Sequence, residues 1–254
     1  VLDDVVTNIS RYANTQNKVS NADFFANHPF HRLFEQNCNE QATPRKEGST
    51  ISRYWFYERA TGAYKNKTLY ATAGQRKTFE EKYPKNQVIK KTELAKYIVS
   101  FMERPDKVSA GADAAFNYSS TEFGDASEFR EKRHKYGTNW FKDAIAKTII
   151  FRSLDKLIQQ SDWDEGGGTK AITIAYTLAW LNRKMKLRQL EFDFTRVWQA
   201  QEISSEMATV LEQIAKQMLQ ALKTSAENSG AMTSPTQWAK RLDCWEKIKR
   251  ENFA

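Results

Sequence analysis

Histidines, carboxylates and glycine-rich turns are the places to look first for chemistry in this 254-residue chain, and they yield little. His28 and His31 stand three apart in NHPFHR. Two imidazoles at that spacing could begin a metal site, but they straddle a Pro-directed turn and no third ligand is in view. The one other histidine is His134. GGGTK (166–170) precedes a helical run and could aim backbone amides at an anion. It lacks the remainder of a P-loop, so a flexible turn is the favoured reading. A metal-dependent nuclease core needs an acidic residue and, on a later strand, Glu-x-Lys, so that two carboxylates hold the metal while Lys steadies the attacking water. Here Pro105-Asp106 is followed by Glu131-Lys132-Arg133, without Lys at the required place and in a helix-like run. Nucleophile elbow, Walker loop, HExxH and dinucleotide fingerprint are all missing. The expectation is a chain with no catalytic centre, no cofactor and no metal.

Binding chemistry is better represented. ISRYWFYERATGAYKN (51–66) carries five aromatic and three basic side chains in sixteen positions. Arg53, Trp55, Tyr57, Arg59, Tyr64, Lys65 and Lys67 are the candidates for a nucleic-acid surface, cations for phosphates and rings for bases. Asn14, Gln16 and Asn17, in ISRYANTQNKV, supply amides that could hydrogen-bond base edges or an upstream part of a longer protein. A plainer reading stands beside each: Trp55, Tyr57 and Tyr64 as core, and Asn14 and Asn17 as turn residues that satisfy backbone groups. Charge favours attention to this region. Residues 45–107 hold 15 Lys/Arg against 7 Asp/Glu, which accounts for the whole net charge of +8.

The elements that must position these residues read as helical nearly throughout. FKDAIAKTIIFRSLDKLIQQ (141–160) sets Ile145, Ile149, Leu154, Leu157 and Ile158 on one side. AITIAYTLAWLNRKMK (171–186) is apolar all round and therefore central. From Phe194 a helical period runs through Val197, Trp198, Ile203, Met207, Val210, Leu211, Ile214, Met218 and Leu222 for about eight turns. In SPTQWAKRLDCWEKIKR, Ser234 can cap, Pro235 suits the first helical position, Gln237 completes a capping box, and Trp238, Leu242, Trp245 and Ile248 form a stripe. Breaks fall at 41–50, 109–127, 164–168 and 227–235. If 53–64 is helical, Tyr54 and Tyr57 share one face and Trp55 and Arg59 another. The fold class expected is mainly α, an irregular multi-helix array with a mixed N-terminal portion. Residues 1–107 form a mixed basic and aromatic portion and 108–254 a helical one, packed as one body. With no initiating Met and no basic-then-apolar leader in VLDDVVTNIS, the chain reads as part of a longer protein. Two cysteines 206 residues apart frame no disulfide scaffold, and no apolar run is long enough for a membrane span, so the cytoplasm is the expected location.

Three separated stretches carry a resemblance: ISRYANTQNKVSNADFFANHPFH (9–31), RYWFYERATGAYKN (53–66) and TQWAKRLDCWEKIKR (236–250). With 77–97, 108–118 and 167–181 between them in order, the chain resembles the bacterial AIPR family, the abortive-infection phage-resistance proteins. What the resemblance implies is the C-terminal portion of such a protein, with a nuclease-like region and an Asn-Gly-rich Gln-Thr motif upstream. Two roles stay open. One is a module that positions DNA or RNA for that nuclease-like region of the parent. The other is a protein-interaction or phage-sensing domain that restrains the parent without touching nucleic acid. No membrane partner is expected. The 194–223 stripe suits either a core or the interface of an oligomer.

Overall fold

The computed structural model describes residues 25–45, 48, 50–230 and 233–253, so Asn14, Gln16 and Asn17 lie outside the described residues. Thirteen α-helices and a two-stranded parallel sheet appear among them, a mainly α architecture as expected. The chain clusters into two compact units, Val1–Glu93 with Ser120–Gly137, and Leu94–Ser119 with Thr138–Ala254.

In the first unit, α1 (Pro29–Glu40) begins with Pro29 at a first-turn position and is capped by His28, whose Nδ1 accepts from the Phe30 amide at 3.2 Å. Its apolar face, Phe30, Phe34 and Cys38, is fully buried. Phe30 stacks on Phe123 with centroids 3.7 Å apart, and meets Phe129 and Tyr136 edge-on. Phe129 belongs to α7 (Ala126–Lys132), opened by a reciprocal capping box in which Asp125 takes the Glu128 amide and Glu128 takes the Asp125 amide. Gly124, at φ 72°, makes the turn before it. Any Cβ there would run into the Glu128 side chain that completes the box.

Strand β1 (Phe56–Glu58) pairs in parallel with β2 (Val88–Lys90), in register Phe56 with Val88 and Tyr57 with Ile89. A strand replaces the helix entertained for 53–64. Ring side chains at successive positions can be buried on both sides of an extended segment, and these suit strand backbone. Parallel pairing demands a crossover, and two helices supply it: α2 (Ala63–Leu69) and α3 (Ala73–Lys82). Gly62, at φ 80°, turns the chain into α2, and a Thr72–Gln75 capping box starts α3. Phe56, Tyr64, Phe79 and Tyr83 hold the crossover to the sheet, with ring centroids between 5.2 and 5.9 Å.

The second unit includes α5 (Pro105–Ser109), α8 (Thr138–Gln160), α9 (Gly167–Leu187), α10 (Phe194–Ala200), α11 (Ser205–Glu227), α12 (Pro235–Trp238) and α13 (Leu242–Ile248). As its composition implies, α9 is central: Ile172 to Trp180 are buried in an unbroken run, and it packs on α5, α8 and α11. Three further expectations need correction. The stripe from Phe194 is not one helix. Gln201 adopts left-handed backbone at φ 56°, and Ser204 caps α11 by accepting from the Met207 amide. The stretch 109–127, taken for a break, contains α6 (Ala112–Phe123), whose small residues Ala115 and Ser119 are buried. The C-terminal stripe divides into α12 and α13, with Leu242 exposed while Trp238, Trp245 and Ile248 join the core.

Candidate nucleic-acid interface

The crossover sorts the basic-aromatic residues into two populations. Trp55 is 3% exposed and Tyr57 2%, so neither presents a ring face to a base. Tyr57 lies in the α1–β1 core, its Oη 2.6 Å from Nδ1 of buried His31 and its ring edge-on to Phe34. Burial lowers the His31 pKa to about 3, with the charges of His28 and Lys91 acting in the same direction. The two histidines are thus occupied by a helix cap and a buried hydrogen bond. Among the described residues no group of three or more His, Cys, Asp or Glu side chains is arranged to hold a metal.

Arg59 is also committed. Its guanidinium donates to Glu35 at 3.0 Å, and to the Ala26 carbonyl and Asn27 Oδ1 at 2.9 Å each. It ties the chain after β1 to α1 and to the turn before it. Half-buried Tyr64 donates its hydroxyl to the Tyr83 carbonyl at 2.7 Å, and burial raises its pKa. Arg53, Lys65 and Lys67 remain exposed.

Sequence reasoning passed over the cations that share the crossover with Lys65 and Lys67. Arg76 and Lys77 are exposed on α3, and Lys82, Lys85 and Lys90 are exposed beyond them. Residues 63–90 therefore show seven exposed Lys/Arg against two carboxylates, Glu80 and Glu81. Lys85 pairs with Glu80, and Lys82 lies over the Tyr54 and Tyr83 rings. Among the described residues, the side chains of Lys65, Lys67, Arg76 and Lys77 have no ion-pair or hydrogen-bond partner. Such a cluster repels itself and attracts polyanions. The Thr72–Gln75 capping box was the available signal: it starts a helix whose first turns carry Arg76 and Lys77.

Other places with apparent chemistry are self-contained. Asp106 is buried and held by both ends of the Arg104 guanidinium at 2.8 Å. At the start of α9, Asp164 accepts from the Gly166 amide at 2.8 Å and Glu165 pairs with Lys223. The carboxylates there disfavour an anion at GGGTK. No described helix is long and apolar enough to cross a membrane.

The family model described as AIPR protein matches residues 1–226. That span takes in the aromatic-basic stretch and the crossover, and it ends before the 236–250 stretch. Comparisons with curated proteins and with solved structures return no match.

Proposed function

The chain belongs to the AIPR family, and on that premise we propose that it positions nucleic acid through the exposed cations of the β1–α2–α3–β2 crossover. Membership points to abortive infection and phage defence. Within that setting, the chain acts as the C-terminal part of a longer protein and holds DNA or RNA for a nuclease-like region elsewhere in it. The observation that carries this reading is the set of four unpartnered, exposed cations on two successive helices, Lys65, Lys67, Arg76 and Lys77. Phosphates neutralised there would release counterions, the main source of non-specific affinity. Nothing in this role requires a catalytic group. The described part of the aromatic-basic stretch then works indirectly: Trp55, Tyr57, Arg59 and Tyr64 build the platform, and the lysines and arginines beyond it make the contact.

A second reading, a protein-contact or sensing domain, has this observation in its favour: Leu187 at the end of α9 and Leu190 just beyond it are 65% and 54% exposed. Of the long helical stripes, Ile214, Met218, Leu222, Trp238, Trp245 and Ile248 are buried in the core, while Val210 stays 48% exposed.

Charge reversal separates the two readings. Lys65→Glu/Lys67→Glu and Arg76→Glu/Lys77→Glu, each on exposed positions, are expected to weaken binding of labelled DNA and RNA about tenfold or more in fluorescence anisotropy at low salt. Unchanged affinity in both variants would overturn the proposal. Arg59→Glu is the wrong probe, because it places two carboxylates together at Glu35 and loosens the platform itself.

A further inference from the structure

Resting on that reading of the crossover, we infer that its ligand is single-stranded nucleic acid and that Tyr70 is the ring on which a base stacks. Ten aromatic side chains lie between residues 45 and 107. Nine are buried or half-buried in the sheet, the crossover and the helices, and Tyr70 alone of the ten is exposed, at 93%. It caps the C-terminus of α2, three residues past Lys67, and α3 begins at Ala73 just after it. Leu69 beside it is 50% exposed. No ring, cation or hydrogen-bond contact to the Tyr70 side chain is present among the described residues.

A tyrosine raised at the bend between two helices, with unpartnered Lys65 and Lys67 before it and Arg76 and Lys77 after it, combines a stacking face with phosphate-neutralising charge. Those are the two components of sequence-tolerant single-strand binding. Duplex does not use the ring in this way, because its base faces are already covered by their neighbours. Engaging Tyr70 there would require unstacking a step. A single strand offers its base faces at much smaller cost. The lysines and arginines serve both ligands, whereas the ring serves one, and this difference makes the inference separable from the reading beneath it.

The test measures anisotropy of labelled oligo(dT), oligo(U) and a mixed-sequence DNA duplex with the full chain, its Tyr70→Ala and Tyr70→Phe variants, and the Lys65→Glu/Lys67→Glu variant. Tyr70→Ala is expected to weaken single-strand binding about five- to a hundredfold, leave duplex binding within about twofold, and be rescued by Tyr70→Phe. Loss on oligo(dT) alone, oligo(U) alone or both supports the inference and says whether the strand is DNA, RNA or either. Single-strand affinity unchanged in Tyr70→Ala, with charge reversal still effective, overturns the inference and leaves the basic surface standing. Equal losses on duplex and single strand also overturn it. Wild-type chain that binds none of the three probes overturns both.

Discussion

His31 and Tyr57 show how one pair of side chains can look functional in sequence and be structural in the fold. A histidine three residues from another, and a tyrosine in an aromatic-basic run, both have the types that active sites use. Here they join across 26 positions to close the core between α1 and β1. The consequence is a pH dependence with a definite sign. Folded His31 stays neutral down to about pH 3, whereas the unfolded chain takes up a proton near 6.5. Its contribution is therefore fully present above pH 6.5 and is lost as pH falls toward 3. Replacing it by His31→Gln removes that proton uptake. The stability gap between wild type and variant should narrow by about 2–3 kcal/mol between pH 7 and 4.5, measured by urea unfolding. Parallel pH profiles would show that His31 is charged or exposed in the folded chain. At this scale the sequence could nominate residue types but not partners, because the partner of His31 lies in a different element.

Elements were legible where periodicity is long. The centrality of α9 follows from its all-round apolar composition, and Ile145, Ile149, Leu154 and Ile158 of α8 are buried as their spacing predicts, with Leu157 half-buried. Short or small-residue elements were not. β1 is three residues long, too short for alternation to declare itself, and the rings that would suit a strand also suit a buried helix. α6 was obscured because the Ser, Gly and Asp of 109–127 read as turn signals, although Phe116 and Phe123 are buried in it beside Ala115 and Ser119. The break between α10 and α11 was hidden by Ile203, which kept the apolar phase through the cap at Ser204. The C-terminal elements were read more fully. Ser234 does cap α12, and Trp238 buries its ring in the cluster of α9, α11 and α13 while donating its Nε1–H to Ser225 Oγ at 3.0 Å. Tyr176 donates to the Ala239 carbonyl at 2.8 Å, and Trp180 to that of Glu251 at 3.0 Å, so side chains of α9 fasten this tail. Trp238→Ala should cost about 3–5 kcal/mol of stability in urea unfolding. Trp238→Phe keeps most of the ring volume and should cost about 1–2 kcal/mol. A loss below about 1 kcal/mol for the alanine variant would mean the tail does not share the cooperative core.

For the molecule as a whole, the excess of positive charge in residues 45–107 is plain from composition. Which cations face outward is not, since that depends on a parallel strand pair forcing α2 and α3 between its strands. Composition therefore named Arg59, which the fold ties to Glu35, and passed over Arg76 and Lys77, which it leaves exposed. The most direct test of a nucleic-acid surface is the slope of log affinity against log salt for oligo(dT), in wild type and in Lys65→Gln/Lys67→Gln. Four cations neutralising four phosphates give a slope of about −3 on single strands, and losing two should flatten it by about 1.4. An identical slope in the variant, or a wild-type chain whose affinity ignores salt, would contradict the assignment of this face to nucleic acid.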